Sequence, residues 1–186
     1  MTEDEYERFY EQTANTKIPY KFKLHYSTEV PLAIKALVYM PSHTNEKMGM
    51  PSEEGALSLY SRKVLIKANC AELLPSYLRF VKGVVDCEDI PLNISRETYQ
   101  DTGLMNKLRN VITRRILKQL LDESKANPDK YNEWYATFQS FIKEGSQMDN
   151  DNKETLFKLM RFNVNYMDSP KKFINLDQYV EKMKDG

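Results

Sequence analysis

The sequence predicts an α/β fold: a layered α/β/α subdomain with a mixed sheet, followed by a small helical bundle. Apolar residues in the first half alternate or form short runs typical of strands, whereas those in the second half recur at helical spacing. The change of period falls in an irregular run from Val85 to Gln100, which contains Pro91. Because proline cannot donate to a sheet ladder, we expect the chain to leave the sheet near Asp86 to Pro91. A loop held there by a rigid scaffold is a candidate functional site.

Length and composition exclude several classes of protein. The 186 residues are enough for one large domain or two small subdomains. Lys plus Arg and Asp plus Glu both number 27, so the zero net charge predicts no nucleic-acid partner. No apolar run approaches the roughly 20 residues that cross a bilayer, so no membrane contact is predicted. Cys70 and Cys87, the two cysteines, lack Cys-x-x-Cys spacing and are predicted to be ordinary thiols.

One helix and several strands are predicted before the central loop. Thr2 and Glu5 have capping-box spacing, so a short helix should begin there and end before Pro19. Alternation from Tyr20 to Tyr26 predicts a half-buried strand, and a second strand is predicted after Pro31. Further strand material is predicted at Leu57, Leu59, Tyr60, Val64, Leu65, Ile66 and Val81 to Val85, with a short helix near Pro75, Tyr77 and Leu78.

The segment from Pro41 to Glu54 is predicted to be a long surface loop, since it is rich in turn residues and has no clear period. It contains Met48 and Met50, which could form an adaptable apolar contact with a partner protein. A loop with no such role is the alternative.

Helices are predicted after the central loop. Apolar residues from Leu104 to Leu120 keep helical spacing, and Asn127-Pro128-Asp129 predicts a helix stop followed by a new helix start. An aromatic stripe then ends at Gly145, which is predicted to end that helix, and the stripe is interpreted as core. Two further helices are predicted around residues 156–162 and 176–183.

A family resemblance covers essentially the whole chain. The fifteen-residue stretch GVVDCEDIPLNISRE, with LYSRKVLI before it, resembles the middle domain of the 90-kilodalton heat-shock chaperones, which are dimeric ATPases of the GHKL class. Four further stretches of the chain occur in the same order as in the family: KLHYSTEVPL, LLPSYLRFVKGVVD, RNVITRRILKQL and LDQYVEKMK. LYSRKVLI and EDIPLNISRE are similar to the mitochondrial, tumour necrosis factor receptor-associated branch. This similarity implies that the protein is located in the mitochondrial matrix, with the cytoplasm or another organelle as the alternative.

The resemblance also implies a domain organisation. Residues 1–100 would form the larger α/β subdomain, ending in the catalytic loop, and residues 101–186 a helical subdomain. The nucleotide-binding, distal middle and C-terminal dimerisation domains are expected to lie outside this stretch. ATP and Mg would be bound mainly by the N-terminal domain, so the stretch alone would not be an enzyme although the complete chain would be an ATPase chaperone. Implied partners are those N-terminal and C-terminal domains and client proteins, with a homodimer at full length and a monomer for this stretch.

Arg96 is the candidate catalytic residue. Hydrolysis of ATP builds charge on the γ-phosphate oxygens, and a guanidinium stabilises that charge with a planar fork of donors. In the resembling family the arginine of the NISRE motif reaches from the middle domain to the γ-phosphate, and this position is Arg96 here. Gln100 matches the family's second contact from the catalytic loop. On residue chemistry alone, Arg96 could instead form a surface ion pair with Glu97 or Asp101.

Other polar groups receive structural interpretations. Asp86, Glu88 and Asp89 could bind a divalent cation, but an acidic loop that fixes the turn is preferred, and no metal site is predicted. His25 and His43 are predicted to be structural or solvated. The basic residues of the long helix could contact phosphate or an acidic partner, but a solvated face is preferred; they are Arg109, Arg114, Arg115 and Lys118.

The sequence is therefore compatible with two functions. The first is a chaperone middle domain that offers Arg96 to ATP and contributes surface to client proteins, with Met48 and Met50 as candidate client contacts. The second is a non-catalytic protein-interaction module that uses the methionine loop or the aromatic helices. Only the first predicts that Arg96 affects ATP turnover while ATP binding persists.

Overall fold

The chain forms two compact units, Met1–Ile116 and Leu117–Gly186. The computed structural model describes residues 1–44, 46, 56–91, 102–163, 173–181 and 183. The long helix that follows the central loop spans the boundary between the units. The domain division after residue 100 stays a prediction, since residues 92–101 lie outside the described ranges.

The first unit is built on a five-stranded mixed sheet. Its elements are α1 (Glu3–Ala14), β1 (Tyr20–Thr28), β2 (Ile34–Pro41), β3 (Ala56–Ser61), β4 (Val64–Lys67), β5 (Lys82–Cys87) and the beginning of α2 (Thr102–Ala126), with short 3-10 turns at Ala71–Leu73 and Ser76–Leu78. The strand order is β1-β2-β5-β3-β4, and every neighbouring pair is antiparallel except β3 and β5. The predicted α/β class and mixed sheet are confirmed.

Helices contact both faces of this sheet. The predicted capping box between Thr2 and Glu5 is present at the start of α1, and Tyr10 of that helix packs against Leu37 and Tyr39 of β2. Tyr26 of β1 pairs with Ala36 of β2. Because side chains alternate along a strand, Tyr26 and Ala36 lie on the face opposite to Leu37 and α1. The Arg115 guanidinium of α2 lies 4.4 Å from the centroid of the Tyr26 ring. The first unit therefore has the predicted α/β/α layering.

A glycine permits the close approach of β2 and β5. Gly83 pairs with Val38 and has a φ of +140°, a backbone conformation that side chains rarely tolerate. A Cβ atom at this position would lie 2.2 Å from the main-chain oxygen of Leu37. The central pair of strands therefore depends on the absence of a side chain at Gly83.

The second unit is mainly helical. It contains the end of α2, α3 (Pro128–Met148), α4 (Lys153–Leu159), the two-residue strands β6 (Phe162–Asn163) and β7 (Phe173–Ile174), and α5 (Leu176–Val180). The aromatic stripe of α3 is core, as predicted: Tyr131, Trp134, Tyr135, Phe138 and Phe141 are all buried. Trp134 stacks on Phe138 with ring centroids 4.7 Å apart. Pro128 begins α3 directly after the predicted break.

Three predictions in this unit are wrong in detail. Gly145 does not end α3, which continues to Met148; the glycine is buried within the helix. The helix predicted to include Phe162 ends at Leu159, and Phe162 pairs with Ile174 in an antiparallel ladder. The last helix ends at Val180 rather than near residue 183. Two-residue strands are too short to show alternation, so the sequence predicts helices throughout the second half.

In the part of the chain that the structure describes, no helix is both long and apolar enough to span a membrane.

Candidate functional site at the anchor of the central loop

The structure describes both ends of the predicted catalytic loop. Arg96 and Gln100 lie outside the described residues, as do Met48 and Met50. The described chain reaches Pro91 on one side and resumes with α2 at Thr102 on the other. The segment from Asp86 to Pro91, called the loop anchor below, is the base from which the predicted site extends.

A buried hydrogen bond fixes the loop anchor to β3. The Ser61 hydroxyl donates to the main-chain oxygen of Ile90 at 2.6 Å, and these residues are 0% and 3% exposed. The Ile90 amide donates in turn to the Cys87 oxygen at 3.3 Å, which closes a tight turn directly after β5. Since a buried carbonyl without a donor is costly, Ser61 holds this turn in place.

A second pair of hydrogen bonds fixes the anchor to the chain just before β2. The Ala33 amide donates to Asp89 Oδ2 at 2.7 Å, and the Glu88 amide donates to the Ala33 oxygen at 3.0 Å. Lys35 Nζ lies 2.8 Å from Glu88 Oε1, and this pair lowers the pKa of the Glu88 carboxyl and raises that of Lys35. Both side chains of the ion pair are exposed, so the two hydrogen bonds made by the Ala33 amide and carbonyl are the stronger restraint.

Asp86 connects the anchor to the β3–β4 turn. Its Oδ2 accepts the Lys63 amide at 2.9 Å, and Lys63 has a φ of +66° in that turn. Asp86 Oδ1 is buried and has no hydrogen-bond partner among the described residues. All three carboxylates considered as cation ligands thus accept protein donors, which supports the turn-fixing interpretation. The described ranges contain no group of three or more His, Cys, Asp or Glu residues suited to a metal ion.

The other end of the loop leads into a firmly packed helix. Met105, Leu108 and Ile112 of α2 are buried within four turns of its start. The basic residues of α2 do not form one site. Arg114 is exposed, Arg115 stacks on Tyr26, and Lys118 pairs with Asp122 at 2.7 Å in the second unit. Arg114, Arg115 and Lys118 are all exposed, so the predicted solvated face is confirmed for them, and Arg109 is half-buried. Arg115 also contacts a ring of the sheet.

The histidines and cysteines have structural surroundings. His25 Nδ1 is 2.7 Å from the Tyr6 hydroxyl, and His43 Nδ1 is 3.0 Å from the Ser42 hydroxyl. Cys70 and Cys87 are free and buried. Burial raises the pKa of the Cys70 thiol to about 11 and also raises that of Cys87, so neither is activated as a nucleophile. The prediction of two ordinary thiols is confirmed.

Sequence reasoning missed the residues that hold the loop anchor. Ser61 lies 29 residues from Ile90 and Ala33 lies 56 residues from Asp89, so neither contact has a local signal. It also missed Arg161, which lines a cavity of the second unit. A lone serine on a strand and a lone arginine after a helix are too common to identify from the sequence.

The first unit is an α/β domain in which a hydrogen-bonded turn follows the central strand β5. A family model described as "Hsp90 protein" matches residues 1–186. The chain therefore belongs to the Hsp90 family, as the resemblance predicted.

Individual relatives agree with this assignment. The chain is 42% identical over 186 residues to "TNF receptor-associated protein 1 homolog, mitochondrial" of Dictyostelium discoideum, covering 99% of this chain and 26% of that protein. It is 39% identical to "Chaperone protein HtpG" of Desulfitobacterium hafniense, with 100% and 30% covered. It is 37% identical to "Heat shock protein 75 kDa, mitochondrial" of Rattus norvegicus, with 100% and 27% covered. The chain thus spans between about a quarter and a third of the length of these relatives.

Proposed function

We propose that this chain is the middle segment of an ATP-dependent chaperone and supplies Arg96 to the γ-phosphate of ATP bound in the N-terminal domain of the same protein. The observation that carries the proposal is the family match over residues 1–186, which includes the NISRE motif around Arg96. ATP and Mg would be held mainly by the N-terminal domain. Gln100 would supply the second contact from the loop.

The chemistry of the step requires a well-positioned donor. Charge that develops on the γ-phosphate oxygens is stabilised by a donor already in place, and small misplacement of such a group is costly. The loop anchor supports this role, because Ser61 and Ala33 fix Ile90 and Asp89 a few residues before Arg96. A loop that begins from a fixed turn has fewer conformations to lose when it reaches the nucleotide.

The wider proposal follows the family. The complete protein would be a homodimer whose C-terminal domain supplies the main dimer contact, and its closure around ATP would be coupled to remodelling of client proteins. Met48 and Met50 are proposed as client contacts because methionine adapts to varied apolar surfaces. A location in the mitochondrial matrix is proposed because two relatives are named as mitochondrial, with the cytoplasm or another organelle as the alternative.

The test measures ATP hydrolysis and ATP binding by the full-length protein with Arg96→Ala. We expect kcat to fall by about 10²- to 10³-fold, the usual cost of removing one transition-state donor, with the Kd for ATP unchanged. Arg114→Ala is the matched control, since it removes an exposed guanidinium from α2. Gln100→Ala should lower kcat by less than Arg96→Ala.

Unchanged turnover in the Arg96 variant would remove the proposed catalytic role. The chain would then be better described as a protein-interaction module within the chaperone. Loss of ATP binding together with loss of turnover would also contradict the proposal, because Arg96 would then contribute to the affinity for ATP and not specifically to the hydrolytic step.

A further inference from the structure

The second unit contains a cavity of about 540 Å³ that the proposed ATPase role does not use. Its lining includes Asn132 of α3, Arg161, Phe173 and Ile174 of β7, and Asn175 before α5. Most of the residues that line it are polar or charged, and its size is in the range that holds small molecules. The polar groups decide which kind of molecule fits.

Arg161 is a buried cation without a carboxylate partner. It is 6% exposed, and among the described residues no carboxylate lies within ion-pair distance of it. Its Nε donates to Asn132 Oδ1 at 3.0 Å, and its guanidinium lies 4.6 Å from the Tyr131 ring centroid. Nη1 donates to the main-chain oxygens of Lys158, Leu159 and Met160 at 3.0, 3.2 and 2.8 Å.

One guanidinium nitrogen of Arg161 is left over. No described residue accepts a hydrogen bond from Nη2, although Nε and Nη1 are fully engaged. A cation that is only 6% exposed and is compensated by dipoles and an aromatic ring, without a carboxylate, is costly to maintain. An anion in the cavity would remove that cost.

The amides around the cavity also present donors. Asn132 Oδ1 is occupied by Arg161. Asn175 Oδ1 accepts the Gln178 amide at 2.8 Å, and Gln178 Oε1 accepts the Asn175 amide at 3.0 Å. With each oxygen used, the three side-chain NH₂ groups remain as donors, and no described residue accepts from them.

The charged residues at the cavity differ in their exposure. Lys125, Asp129 and Glu181 line it but are exposed, so water and salt screen their charges. Arg161 is buried and Asn132 and Asn175 are half-buried, so the inner wall contains donors and a positive charge. A bound cation would need acceptors at that wall, where the amide oxygens are already occupied.

We propose that this cavity binds a small molecule through a carboxylate or phosphate group, held by Arg161 Nη2 and the Asn132 side-chain amide. A guanidinium nitrogen with unused N–H donors forms charge-assisted hydrogen bonds to oxyanions of either kind. The apolar floor formed by Phe173 and Ile174 would contact the rest of the ligand. The site is independent of the proposed role of Arg96, since it lies wholly within the second unit.

The experiment uses Asn132→Asp in the full-length, nucleotide-free protein. Arg161→Ala would remove a donor from three main-chain oxygens at the end of α4, of which only Leu159 keeps another, the Tyr131 hydroxyl, so the change could unfold the unit. Asn132→Asp keeps the acceptor for Nε, places a carboxylate beside Arg161, and should not lower the urea midpoint of unfolding. Asn110→Asp, on the exposed face of α2, is the matched change of charge.

Isothermal titration with sodium phosphate and with sodium succinate separates the two ligand chemistries. We expect at least one probe to bind the unaltered protein and the Asn110→Asp variant, and Asn132→Asp to bind it at least about tenfold more weakly. Equal binding to Asn132→Asp would overturn the proposal, because the anion would then lie elsewhere. Absence of binding by both probes up to roughly 10 mM would overturn it as well.

Discussion

Replacing Ser61 with alanine tests the loop anchor. The change removes the 2.6 Å hydrogen bond to the Ile90 oxygen and leaves that buried carbonyl without its donor. An unsatisfied buried polar group costs about 1 to 3 kcal/mol, so we expect Ser61→Ala to lower the free energy of unfolding by that amount. In a domain of this size each kcal/mol corresponds to a shift of about 2 to 4 °C in Tm.

Ser58→Ala is the matched control for this prediction. Ser58 lies on the same strand, is half-buried, and its side chain has no hydrogen-bond partner among the described residues. Its replacement should change stability by no more than about 0.5 kcal/mol. Urea unfolding of both variants measures the difference. In the full-length protein, Ser61→Ala should also lower kcat for ATP with little change in binding. Equal stabilities of the two variants would refute the assigned role of Ser61.

Two further predictions concern the sheet and a buried thiol. Gly83→Ala should lower the free energy of unfolding by about 3 kcal/mol or more, because its Cβ would meet the Leu37 oxygen at 2.2 Å. Gly103→Ala, exposed in the first turn of α2, should be neutral or slightly stabilising in the same urea titration, and equal effects would contradict the strand-contact argument. The raised pKa of Cys70, about 11, means that the folded state keeps its proton while the unfolded thiol loses it near 9.0, so stability should fall as pH rises from 9 to 11. Cys70→Ala should flatten that part of the pH profile, and an unaltered slope would show that the thiol is not its source.

Local signals in the sequence predicted the elements of the first unit. The capping box of Thr2 and Glu5 lies within one turn, and the alternation from Tyr20 to Tyr26 lies within one strand. Such features need no tertiary information. By contrast, Gly145 has the residue type of a helix end but lies inside α3, where burial against neighbouring elements overrides the local preference.

The candidate site was predictable only through its motif. Arg96 is a candidate because it lies in the fifteen-residue match, and Gln100 because the resemblance implies a second contact four residues later; residue chemistry alone would have left Arg96 as a surface ion pair. The contacts made by Ser61, Ala33 and Arg161 can be recognised only in the structure, because the fold brings together segments that are distant in the sequence. Contacts between segments far apart in the chain have no periodic pattern that a single sequence reveals.

The role of Arg96 can be measured as the single-turnover rate of ATP hydrolysis, at saturating ATP, by full-length protein carrying Arg96→Lys or Arg96→Ala. We expect both variants to bind ATP normally and to hydrolyse it slowly, since lysine retains the charge but not the planar fork of donors. A lysine variant as fast as the unaltered protein would show that charge alone suffices. An alanine variant as fast as the unaltered protein would contradict the central claim that Arg96 acts on the γ-phosphate.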